Sequence, residues 1–432
     1  MYAKVDYGRR VRLFAVAISL CTCIPSCTAA LDDVNISMPA VHFHPTELKA
    51  SIFRAQQSLQ PMINPRQISR SLYSGDMERI RRILIMMFKV LTSYFLNRRT
   101  LVAVGGSITY GMGVLDCGKS WVQRLSDWCA SAFPSGNVKV VNGAFPAVNS
   151  AYMKLCANDR GSFTNDITHD VRKSFERLLR KLLHLPHHPA VILLNAYQYL
   201  NIDPRNEKHK YLEGAEAFYF EMATYYGIPM ASMKAAAYQQ MITGIPGYWV
   251  NGTQYLMKAG ESAMQNYMYW DLMHPSGTNG HRVLFDLVAA VMIRGSRSII
   301  TSKPWNSSKE SGIIQDSLPP PMMEGNYPFN RNVCLVSDQF RATAVEMQGF
   351  EWVNESPNNV SPKWGFTATT AGSWIKLKIS SKITQDSPAL SNAPEYGGFT
   401  NQSRVPVILA YLRSYEKMVQ AQIKCTGPVA PP

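Results

Sequence analysis

Ser107 stands in the segment LVAVGGSITYG, and Asp271 and His274 stand three residues apart in DLMHP. A serine hydroxyl is a poor nucleophile until a histidine takes its proton, and the histidine works best when a carboxylate holds its other ring nitrogen. Ser107, His274 and Asp271 are therefore a candidate nucleophile, base and orienting acid for acyl transfer. Each segment also has a plainer reading, as a Gly-Ser turn and as a carboxylate capping the start of a helix. A phosphate-cradling loop is disfavoured at Ser107, because no Gly-Lys-Ser/Thr follows the glycines.

These residues need a scaffold that brings positions 107 and 274 together. From residue 98 onward, short apolar runs alternate with amphipathic stretches: LVAVGG, WVQRLSDWCASAF, VKVVNGA, DVRKSFERLLRKLLH, AVILLNA and IPMASM. Such alternation predicts parallel strands joined by crossover helices, a three-layer α/β/α sandwich. The scaffold closes with a helix near His281 to Ile293. Ser107 then falls at the carboxyl end of a strand, where open α/β sheets place their ligands, and its glycines allow a tight turn.

In DVRKSFERLLRKLLH the apolar residues Val171, Phe175, Leu178, Leu179, Leu182 and Leu183 recur at helical spacing. The basic residues Arg172, Lys173, Arg177, Arg180 and Lys181 then read as its solvated outer face. The formal net charge of +14 is accordingly not taken as a sign of a nucleic-acid partner. Acidic polysaccharide stays open as an attracted partner.

The blocks GGSITYG, VVNGAFP and DLMHPSG resemble, in order and spacing, those of the SGNH or GDSL hydrolases, with Gly106 where that family usually has Asp. The likeness covers about residues 98 to 295 and is nearest to two-domain algal and plant members with a β-rich tail. It implies an esterase without cofactor or metal, acting through Ser107, His274 and Asp271. It also implies an oxyanion hole built from the Ser107 amide, the Gly143 amide and an asparagine. The asparagine block is where the pattern departs. Asn158 in ANDRG follows the segment SAYMKLC with no apolar strand before it, so the sheet reads as one strand short. Asn158 is the preferred donor on chain order, and Asn195, at the end of AVILLNA, is the fallback; a surface-turn asparagine is the plainer reading of both.

The remaining chain predicts compartment and domains. Lys4, Arg9, Arg10 and Arg12 precede an apolar run from Leu13 to Pro25 and the small residues Ala29 and Ala30, the pattern of a cleaved signal peptide over 1–30. That run is too short for a stable membrane span, which needs about 20 residues. Asparagines 35, 251, 306, 354, 359 and 401 each open a glycosylation sequon, which favours the secretory pathway, secreted or in the Golgi lumen. Of the eight cysteines, five lie beyond the leader, and Cys334 with Cys425 is the preferred disulfide. No Cys/His spacing suggests a metal. Residues 31–97 read as an extension with a helix, 98–300 as the hydrolase-like domain and 301–330 as a Ser/Pro/Asn-rich linker. Residues 331–432 read as a small β-sandwich.

Two functions fit this reading. One is an esterase acting on carboxylic esters, such as O-acyl groups of an extracellular or Golgi polysaccharide. The other is an impaired relative that binds glycans without turnover. Trp352, Trp364 and Trp374 in the tail suit either sugar stacking or core packing.

Overall fold

The computed structural model describes residues 2–5, 11–13, 45–59, 61–88, 99–114, 119–134, 138–144, 170–185, 188–199, 211, 216–250, 265–271, 273–301, 318–326, 335, 337–354, 364–379 and 421–424. The chain divides into two units, one formed by Met1–Asn35 with Phe329–Pro432 and the other by Ile36–Pro328. The preferred disulfide pair, Asn158 and the sequons other than Asn354 lie outside the described residues.

The chain opens with β1 (Tyr2–Val5) and β2 (Val11–Leu13). The large unit follows with α1 (Pro45–Gln57), α2 (Pro65–Ser71), β3 (Leu72–Tyr73), α3 (Glu78–Phe88), β4 (Arg99–Ala103), α4 (Ser107–Tyr110) and α5 (Trp121–Ala132). It continues through β5 (Val138–Asn142), α6 (Asp170–Leu183), β6 (Leu193–Asn195), α7 (Glu216–Tyr225), β7 (Met230–Ser232), α8 (Met233–Ile242) and α9 (Gly280–Thr301). The small unit adds α10 (Ser337–Arg341), β8 (Ala344–Gln348), β9 (Phe350–Asn354), β10 (Trp364–Ala368), β11 (Trp374–Leu377) and β12 (Ala421–Lys424).

The large unit has the expected parallel pairs. β4 pairs with β5, and β6 pairs with β7, while β3 joins β7 antiparallel. Among the described residues β5-β4 and β6-β7-β3 are separate ladders. The break falls between β4 and β6, on the two sides of the segment in which sequence reading misses a strand. Val102, mid-strand in β4, is 46% exposed, unlike a residue of a sheet buried on both faces.

α9 organises the core. Val283, Leu284, Leu287 and Val291 recur at helical spacing and are buried, packing the helix against α1, α3 and α5. Fully burying a side chain of this kind is worth about 1.5–3 kcal/mol. From the segment before β4, Ile52, Ile63, Leu84 and Ile85 belong to the same core as Trp121 and Leu287. α2 starts with a reciprocal cap, Asn64 accepting from Gln67 N–H and Gln67 from Asn64 N–H.

α6 corrects one expectation. Its Glu176 and Arg180 are buried rather than lying on a solvated face. Glu176 accepts hydrogen bonds from the Met322 and Met323 amides, the Asn326 side chain and the Tyr226 hydroxyl, while Arg180 donates to the Pro319 carbonyl. The stretch 318–326, read as linker, is thus docked on this helix, where it supplies hydrogen bonds to both buried charges.

In the small unit, a four-stranded sheet of order β12-β1-β11-β8 and a three-stranded sheet of order β2-β10-β9 carry antiparallel ladders. Phe350, Phe366 and Ala368 of one sheet and Ile375 and Leu377 of the other share a core with Phe340. The region read as a leader thus supplies one strand to each sheet, and β1 lies between β11 and β12. Trp352 is half-buried and packs against Phe366, with Trp364 stacked at 6.1 Å.

Candidate active site

The apolar strand β4 runs into Gly105 and Gly106, and the chain turns at once into the single helical turn of α4, with Ser107 as its first residue. A first helical residue has no acceptor for its N–H within the helix. The far end of the turn is held from β5, where Asn142 donates its side-chain amide to the carbonyls of Thr109 at 3.0 Å and Tyr110 at 3.2 Å. Met112 and Gly111 both donate their N–H groups to the Ser107 carbonyl.

The second segment is a self-bonded turn. Asp271 Oδ1 accepts the Met273 and His274 amides, each at 2.7 Å, and its Oδ2 accepts from His274 Nδ1 at 2.7 Å. The Trp270 N–H closes the loop on the His274 carbonyl at 2.8 Å. Short polar side chains that bond their own backbone favour such turns, which explains Asp at the first position. Burial raises the carboxyl pKa, but the bonds from the His274 ring and from the two amides outweigh it and hold Asp271 below the usual carboxylate range.

The two segments meet, with His274 Nε2 lying 2.8 Å from Ser107 Oγ. Nδ1 bonds a carboxylate, so it carries the proton and leaves Nε2 free to accept one from the hydroxyl. The order carboxylate, imidazole, hydroxyl is that of an activated nucleophile.

No family model matches the sequence, and no curated protein does. Two crystal structures resemble the chain, both of a two-domain esterase (CEX) active on acetylated mannans, one of them co-crystallised with mannopentaose. Each is 16% identical and covers 70% of this chain and 72% of its own, with TM-scores of 0.46 and 0.44.

The predicted oxyanion donors fare unequally. The Gly143 N–H is engaged, donating to the Ala103 carbonyl at 2.9 Å as the β4–β5 pairing continues past β5, so the expectation that it faces the oxyanion is corrected. Asn158 lies outside the described residues. Asn195 ends β6, is 6% exposed, and its Nδ2 has no hydrogen-bond partner among the described residues. No group of His, Cys, Asp and Glu among the described residues is placed to hold a metal.

Sequence reading missed three residues of this site. Gly113, with φ of +94°, lies against the His274 loop, where a β-carbon would stand 2.2 Å from the Pro275 carbonyl oxygen. Gly280 fits beneath the same loop, where a β-carbon would stand 2.3 Å from Pro275 Cβ and 2.5 Å from the Met268 carbonyl oxygen. His281, next in the chain, is fully buried beside them. The signals were visible as G-x-G after the serine and as Gly-His after DLMHP, but neither has a meaning until both loops are folded.

Proposed function

We propose that this chain is a serine hydrolase of carboxylic esters of the SGNH type, and the observation that carries the proposal is the 2.7 and 2.8 Å bonding of His274 to Asp271 and Ser107. Ser107 Oγ attacks the ester carbonyl as His274 Nε2 takes its proton. Asp271 steadies the imidazolium. The tetrahedral oxyanion collapses with loss of the alcohol, to which His274 returns the proton, leaving an acyl-serine. Water, activated by the same histidine, then releases the acid. The Ser107 N–H and the Asn195 amide, whose Nδ2 has no hydrogen-bond partner among the described residues, are the donors we propose for the oxyanion, each worth about 2.7–4 kcal/mol.

The substrate class we propose is an O-acylated polysaccharide of the secretory pathway or cell exterior, on the family resemblance, the six sequons and the apolar N-terminal run. A chain processed after Ala30 would build its β unit without β1 and β2. No helix among the described residues is long and apolar enough to cross a membrane. The engaged Gly143 amide supports the second reading, a glycan-binding relative without turnover. A fluorophosphonate probe separates the two. Labelling that vanishes in Ser107→Ala supports the hydrolase, and an unlabelled wild-type protein defeats it.

A further inference from the structure

We infer that His281, at the start of α9, is a positioning residue for the nucleophile, holding the Met112 carbonyl and through it the backbone turn that carries Ser107. The inference rests on the hydrolase reading above. The His281 side chain is wholly buried, and both ring nitrogens are engaged. Nδ1 faces the Trp121 N–H at 3.3 Å, and Nε2 faces the Met112 carbonyl at 3.0 Å. A backbone N–H only donates and a carbonyl only accepts, so Nδ1 is bare and Nε2 carries the proton. The imidazole is a neutral bridge in one fixed tautomer.

The bridge joins elements distant in sequence. Trp121 opens α5, where a helix leaves its first amides unsatisfied. His281 accepts one of these, and the Ser120 hydroxyl accepts the Gln123 N–H. On the other side, the Met112 N–H donates to the Ser107 carbonyl at 2.9 Å, so the His281 ring is one residue removed from the nucleophile's own peptide. Gly277 N–H donates to the Gly113 carbonyl at 3.0 Å, and Arg124 donates to the Gly277 carbonyl at 2.9 Å, continuing the same seam. Burial pushes the His281 pKa down to about 4 against the Met112 bond, with the Arg124 and His274 charges acting in the same direction as burial. His281 therefore keeps its bridge over the pH range in which His274 must cycle its proton.

Three substitutions separate positioning from mere packing. The Nε2 of glutamine reaches about as far as the ring Nε2 and can donate to Met112. The Oδ1 of asparagine can accept from Trp121 but its amide falls short of Met112, and leucine serves neither partner. With an aryl ester, His281→Asn and His281→Leu should lower kcat at least ~10-fold with KM changed less than ~2-fold, while His281→Gln stays within ~3-fold of wild type. The acid limb of the pH profile should not move in any of them. Amide exchange of residues 106–113 should accelerate in the asparagine and leucine variants and not in the glutamine variant. If the leucine variant fails to fold, the glutamine and asparagine pair decides alone. Asparagine equal to wild type in kcat, or glutamine as damaging as asparagine in both readouts, overturns the inference. A wild-type protein whose Ser107 takes no fluorophosphonate defeats the hydrolase reading instead, and the exchange rates still test the bridge.

Discussion

Gly113 lies against the Pro275 carbonyl at a distance no β-carbon tolerates, and this contact joins the loop after Ser107 to the loop that carries His274. At φ of +94° the position is also one that side chains rarely adopt. Gly113→Ala should therefore push the His274 loop away from Ser107. We expect kcat to fall by ~10²-fold and stability by about 1–3 kcal/mol. Steady-state kinetics beside a denaturant titration check both, and a fully active Gly113→Ala enzyme would show that the seam does not set the reacting distance.

Asp271→Asn tests the orienting role. The replacement keeps an oxygen for the Met273 and His274 amides but brings an NH₂ group to His274 Nδ1, which favours the tautomer with the proton on Nε2. That nitrogen can then no longer accept from Ser107. The expected loss in kcat is about 10³–10⁴-fold with the fold intact. A loss below tenfold would mean that Asp271 serves the turn alone.

Asn195 offers a test in which two measurements pull apart. Its Nδ2 is a buried donor without a partner among the described residues, and leaving such a group unsatisfied costs about 1–3 kcal/mol. Asn195→Ala should therefore destabilise less than its burial suggests, because it removes that defect. If the amide serves the oxyanion, kcat falls at least ~10-fold with little change in KM. Unchanged kcat would return the role to Asn158, the donor that chain order prefers.

Asp286, on α9, predicts a pH dependence of stability. Burial raises its pKa to about 7, against the opposing bonds from the Met62 and Ile63 amides and the charges of Arg282 and Arg124. A carboxyl with a folded pKa above its unfolded one binds more protons in the folded state. Its contribution is fully present below the unfolded pKa of about 3.9 and is lost as pH rises through 7. Asp286→Asn keeps an acceptor for the two amides without the charge. The difference in melting temperature between variant and wild type should grow in the variant's favour from pH 5 to pH 8. A constant difference across that range would rule out ionisation of Asp286 as the cause.

The local geometry of the two segments was readable from residue types. Asp-x-x-His closes its own turn within four residues, and the strand-Gly-Gly-Ser junction is set by an apolar run and two glycines, so both could be recognised without tertiary information. What could not be read depends on contacts between distant segments. Arg180 looks like the outer face of a basic helix by periodicity, yet a chain segment about 140 residues later covers it and supplies the Pro319 carbonyl. The Gly143 amide looked available because sequence cannot tell where a ladder stops, and here it runs one residue past β5. His281 carries no motif, because its partners are the backbone groups of Met112 and Trp121.

Asp271 and His274 belong to one turn, whose inner bonds never leave residues 270–274. Asp271 and His274 thus form a single cartridge, and the hydrolase we propose has a joint between that cartridge and the serine turn. An alteration elsewhere in the fold cannot part His274 from Asp271 without breaking the turn itself. It would instead change the gap to Ser107 while leaving His274 bonded to Asp271. A directed search for activity can therefore start from that one distance, at Gly113 and Gly280 on the His274 side and at His281 on the serine side.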